Sequence, residues 1–317
     1  MSMYSYETGK FEEYFSNENN NAFYRIWAAI YTGDDRFTIE ALASLSKESS
    51  SQGKWAARSR IALAAKILTM GHHESCEKLL SAIDEIAFDD DQHRNFFLSL
   101  FGLLHKLVNN RVKDPTGLTL PRGIALIGDS HTLSISSVAS ENFTNIHYLP
   151  GTTLRLLSVK TESAQKLAVK RATILSLKNH TIMFSFGEID SRFIYSHSIQ
   201  KGFNLVKHCE VAKCGLEFLS QNISPYQEVA IFSLPPINER LMANLSEMEK
   251  KIAIENYEEY STYFNQCATN LGFNIIEHRL DCMNYLIDHA HFSGAYYLEL
   301  FRDLFGDNQL RSKIRLD

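Results

Sequence analysis

The chain has 317 residues, with 32 Lys and Arg against 37 Asp and Glu, a net charge of −5 and a pI near 6.2. That balance speaks against a nucleic-acid partner, because phosphate backbones select basic surfaces. With 44% apolar and 22% charged residues the composition is that of a globular chain, which excludes disorder, collagen and coiled coil as the main state.

The first segment, Met1 to Glu7, lacks the basic and apolar stretches of a secretory signal, so a cytoplasmic location is expected. Over residues 1–115 the periodicity is helical: Trp55, Ala62 and Ala65, then Cys76, Leu79, Leu80, Ile83 and Ala87 recur at helical spacings. Gly71 breaks the two runs apart, and the pattern from Leu63 to Ile83 resembles one tetratricopeptide-like hairpin. A plain helical bundle stays open as the alternative, and this region is the candidate seat of a protein partner. The apolar stretch from Phe96 to Val108 is interrupted by Ser99, Gly102, His105 and Lys106, short of the ~20 apolar residues that cross a bilayer, so no membrane span is expected. The five cysteines, Cys76, Cys209, Cys214, Cys267 and Cys282, are odd in number and lie in apolar surroundings, which predicts mostly buried thiols.

Asp114-Pro115-Thr116-Gly117 and Pro121-Arg122 punctuate the chain, which predicts a boundary between a helical domain, 1–115, and a second domain, 121–317. Five short apolar runs follow, Ile124 to Ile127, Ile146 to Leu149, Thr181 to Phe186, Val229 to Ser233 and Phe273 to Ile276, each read as a strand. Helical faces separate them, such as Leu205, Cys209, Ala212, Leu216 and Leu219. Alternation of this kind predicts an α/β/α sandwich on a five-stranded parallel sheet of flavodoxin-like order, 2-1-3-4-5.

In such sheets reactive groups sit beyond the carboxyl ends of the strands. The first strand runs into Gly128-Asp129-Ser130-His131, which seats Ser130 in a strand-to-helix turn. The third runs into Gly187-Glu188-Ile189-Asp190-Ser191-Arg192, and Asp288-His289-Ala290-His291 lies near the end of the chain. A serine hydroxyl needs an adjacent base to become a nucleophile, and imidazole titrates in the range that lets it take and return that proton.

These blocks resemble those of the SGNH family of GDSL-like esterases and acyltransferases, over roughly Pro121 to Phe305. The resemblance implies Ser130 as nucleophile, Asp288 and His291 as the other triad members, and backbone N–H groups of Ser130 and Gly151 as an oxyanion hole. His131 stands where the family more often has Leu. The third block, G-x-N-D in the family, matches at Gly187 and Asp190, while Ile189 replaces the Asn and removes one of three oxyanion donors, leaving Arg192 as the nearest substitute. The G-E-I-D-x-R form resembles members associated with bacterial surface-glycan biosynthesis.

The function this implies is hydrolysis of an acyl ester, acetylesterase-type, on a carbohydrate or small ester substrate through an acyl-serine. Two alternatives stay open: an O-acetyltransferase using acetyl-CoA as co-substrate, and an adaptor or glycan-binding module with a decayed site. Glu188, Asp190 and Arg192 are candidates either for binding a polar substrate or for a buried ion pair. His289 reads as a solvated or capping side chain beside His291. No metal is expected, since His72-His73 and Asp89-Asp90-Asp91 show no spaced ligand set and read as a solvated helix turn and a loop. No phosphate loop or dinucleotide fingerprint is present, so no cofactor is expected.

Overall fold

The computed structural model describes residues 7–48, 54–83, 94–111, 123–139, 145–279, 281–288 and 290–306. The punctuated stretch 114–122, the acidic run at 89–91 and His289 lie outside the described residues. Thirteen α-helices and one five-stranded sheet are found among them.

Among the described residues six helices precede the first strand: α1 Phe11–Ser16, α2 Ala22–Tyr31, α3 Asp35–Glu48, α4 Lys54–Thr69, α5 His73–Ser81 and α6 Arg94–Asn109. Helix α4 is the most deeply buried, because alanines at 56, 57, 62, 64 and 65 let its neighbours approach closely on several sides. Arg58 is also buried there, its guanidinium lying over the rings of Trp55, Phe23 and Phe97. His73 is buried rather than solvated, and burial holds its imidazole below the usual range.

The strands are β1 Ile124–Gly128, β2 Asn145–Tyr148, β3 Thr181–Ser185, β4 Glu228–Phe232 and β5 Asn274–Ile276, all parallel, in the order β2-β1-β3-β4-β5. Each observed strand overlaps its expected run, because each apolar run is bounded by polar or turn residues. Between and after them come α7 His131–Ala139, α8 Leu154–Ser158, α9 Ala164–Leu175, α10 Glu188–His197, α11 Leu205–Gln221, α12 Glu247–Asn270 and α13 Gly294–Gly306. Ser246 and Glu249 start α12 with a reciprocal capping box.

Alternation along the strands divides the core. Ile124, Leu126, Met183, Ala230 and Phe232 face one apolar cluster with Ile135 of α7 and Tyr296, Tyr297 and Phe301 of α13. Ala125, Ile127, Ile182, Phe184 and Ile231 face the other, with Leu154, Val169, Leu216 and Phe264. That second cluster continues without a break into Phe11, Trp27, Leu63 and Leu104 of the first helices. Helix α4 packs on α7 and on β2, and the Tyr31 hydroxyl at the end of α2 donates to the Pro150 carbonyl at 3.1 Å. The first helices therefore lie against the loop that follows β2.

Candidate active site

The strand ends converge. At Gly128 an added Cβ would meet the Ser185 carbonyl oxygen at 2.5 Å and Thr132 Oγ1 at 2.6 Å, so only glycine allows β1 and β3 to approach this closely. Asp129 N–H donates to Ser185 O at 3.1 Å and Leu149 N–H to Gly128 O at 2.7 Å, tying the ends of β1, β2 and β3 together. The chain then enters α7, with Ser130 just ahead of its first residue. Gly151 follows β2 with φ of +67°. Among the described residues neither the Ser130 nor the Gly151 N–H has an acceptor, so both remain available as donors beside the serine.

Asp288 and His291 lie between a 3-10 turn, Cys282–Tyr285, and α13. An isolated antiparallel bridge pairs Leu286 with Phe292, and Ile287 N–H donates to His291 O at 2.9 Å, closing the loop on itself. His291 Nε2 lies 2.8 Å from Ser130 Oγ, and His291 Nδ1 lies 2.9 Å from Asp288 Oδ2. A carboxylate only accepts, so Nδ1 carries the proton and Nε2 is left to accept from the serine hydroxyl. Asp288 Oδ1 also accepts from the N–H groups of Ala290 and His291, both at 2.8 Å. Burial opposes the Asp288 charge, but the His291 ring and these N–H groups outweigh it and hold the carboxyl well below its usual range. Burial, joined by the positive His131 ring, holds His291 below its usual range despite Asp288. The imidazole is therefore neutral and basic near pH 7, the state required to take a proton.

Behind His291 lies a second polar layer that the sequence reading did not assemble. The His131 and His291 ring centres are 4.9 Å apart. His131 Nδ1 meets the Tyr297 hydroxyl at 3.3 Å, and its Nε2 lies 3.3 Å from Glu188 Oε2. Glu188 Oε1 is in turn 2.9 Å from Arg192 Nε, one helical turn along α10. Burial works against both charges of the His131–Glu188 pair, yet each raises the other's ionised fraction, so His131 titrates higher and Glu188 lower than usual. Asp129 accepts from His131 N–H at 3.0 Å, and burial pushes its carboxyl up to about 7. His278, with Nδ1 2.7 Å from the Tyr296 hydroxyl, is held neutral by burial, its pKa lowered to about 3.

Gly187, at φ of +106°, caps the helix that begins at once after β3. Arg192 consequently stands in α10, not on a loop leaving β3, and this is why it can pair with Glu188. Asp190 is turned away from Ser130: its two oxygens accept from Leu154 N–H at 2.9 Å and Arg155 N–H at 3.1 Å, holding the start of α8. Its partners are 36 and 35 residues away in sequence, so no local pattern announces them.

Ser130, Asp288 and His291 open into a cleft of about 420 Å³, together with Gly151, Ile189, Arg192 and residues of α6. The volume falls in the range of ligand pockets, about 300–1,000 Å³. No protein-family model matches this chain, and no curated protein matches it either.

Proposed function

We propose that the protein is a serine acyl-ester hydrolase of the SGNH type, and that residues 121–317 form its flavodoxin-like catalytic sandwich behind a helical region. The observation that carries the reading is the continuous hydrogen-bonded chain from Ser130 Oγ through His291 to Asp288. Support for the family comes from the strand order and from the arrival of all three residues at the carboxyl edge of one parallel sheet.

In the reaction, His291 Nε2 takes the Ser130 proton as Oγ attacks the ester carbonyl carbon. The carbonyl π pair moves to oxygen, and the N–H groups of Ser130 and Gly151 stabilise that oxyanion. Collapse breaks the bond to the alcohol oxygen, which leaves with the proton from His291. Water, deprotonated by the same imidazole, then releases the acid and restores the hydroxyl. Throughout, Asp288 holds the Nδ1–H tautomer and stabilises the imidazolium.

A fluorophosphonate probe and p-nitrophenyl acetate test the reading. The expected result is one adduct at Ser130 and an ester hydrolase activity that Ser130→Ala abolishes and Asp288→Asn lowers by about 10⁴-fold, with both variants folded. Absence of labelling at Ser130 in folded protein overturns it. Coenzyme A release from acetyl-CoA that rises with added sugar acceptor would replace hydrolysis by acetyl transfer at the same serine.

A further inference from the structure

The cleft over Ser130 has one wall that is not part of the sheet or its crossovers. Helix α6 lies along it, presenting Phe96, Leu100, Gly102 and Leu103, and Ile189 faces the same space from α10. An acetyl group has three heavy atoms and occupies on the order of 100 Å³ at about 30 Å³ per water-sized group, a fraction of the 420 Å³ present. Gly102 borders that space, and a Cβ built there meets nothing within 4 Å. Glycine in the middle of a 16-residue helix costs backbone entropy and fills nothing, so its presence keeps room in the cleft at the expense of helix stability.

We infer that α6 forms an acyl-chain subsite, and that the ester this protein cleaves carries a medium-length or branched apolar acyl group rather than only acetyl. The inference rests on the proposed serine chemistry for its location but not for its test. The apolar residues of α6 fit hydrocarbon, while Lys106, an exposed cation on the same helix, borders the cleft. Each methylene buried against such a wall is worth about fourfold in affinity, enough to separate octanoyl from acetyl by far more than tenfold.

Two measurements test it. In a series of p-nitrophenyl esters from acetate to decanoate, kcat/KM of the wild-type protein is expected to peak at hexanoate or octanoate. Gly102→Leu, which puts a side chain into the cleft and improves helix propensity, is expected to move the peak to acetate or butyrate. Independently of turnover, Ser130→Ala protein is expected to bind octanoate at least tenfold more tightly than acetate by calorimetry, and the added Gly102→Leu change removes that preference. A peak at acetate in the wild type, or a chain-length preference that Gly102→Leu leaves unmoved, overturns the subsite. Where Ser130 takes no label and no ester is cleaved, the hydrolase reading fails, and the octanoate binding arm still decides the subsite.

Discussion

The Nε2 of His131 lies 3.3 Å from Oε2 of Glu188, so a histidine at the start of α7 meets a carboxylate at the start of α10. The two are 57 residues apart along the chain, and no local pattern links them. Together they form one buried charge pair, extended to Arg192. A buried ion lacking its partner is costly, on the order of 3 kcal/mol, whereas removal of both charges is often close to neutral.

The pairing predicts a specific double-mutant result. His131→Leu and Glu188→Gln should each lower the unfolding free energy by about 2–4 kcal/mol, and the double variant should lose clearly less than the sum. Denaturant melts of the four proteins measure this, and additive losses would show that the two side chains do not interact.

Under the proposed chemistry, the titration of His291 sets the acid side of the activity profile. Its neutral form is the base, and its pKa is held below 6.5 by burial and by the His131 cation. The sign follows: kcat/KM for an ester should persist as pH falls past 6.5 and be lost only at the lower pKa. His131→Gln removes the cation and should shift the acid limb upward. A wild-type limb above 6.5 would contradict the arrangement.

Asp129 makes stability depend on pH in the opposite sense to an ion-paired carboxylate. Its folded pKa of about 7 exceeds the unfolded 3.8, so the folded chain holds the proton more tightly. That contribution is fully present below 3.8 and lost as pH rises through about 7. Asp129→Asn keeps an acceptor for His131 N–H but has no proton to release. It should raise the melting temperature at about pH 8.5 and change it little at about pH 4. An equal effect at both would refute the assignment.

Ile189 offers the cleft no side-chain donor, whereas Arg192 does. Its side chain lines the cleft and is held by Glu188 at 2.9 Å. Arg192→Ala should lower kcat by about 10²-fold with KM nearly unchanged, the signature of an interaction made in the transition state. A rise in KM alone would make it a substrate contact, and a fall in melting temperature with intact kinetics would make it a structural ion pair.

Much of this was readable in the chain because the information is local. Apolar runs between turn residues mark the five strands, and the polar blocks at Gly128, Gly187 and Asp288 interrupt apolar surroundings. What was not readable is long-range. The stretch Phe96 to Val108 announces a helix with an apolar face, but periodicity does not say that the face borders Ser130. Asp190 likewise reads as a substrate-binding or ion-paired carboxylate until its oxygens are seen on the N–H groups of Leu154 and Arg155. The position of Arg192 turned on one backbone angle, the positive φ of Gly187, which lets the helix start at Glu188 with only two residues between it and the end of β3.

The hydrogen bond from Tyr31 to Pro150 joins a helix near the start of the chain to the loop carrying Gly151, and α4 rests on the β2 edge. During synthesis the ribosome releases these helices before the strands they lean on exist. The nascent helices must therefore wait with their apolar faces uncovered, and the loop carrying Gly151 gains its Tyr31 tether only once residue 150 has been made. A version of the gene cut after the helices would leave the strand half with an apolar flank and an untethered loop, so grafting the serine chemistry onto another scaffold requires carrying the first hundred or so residues along.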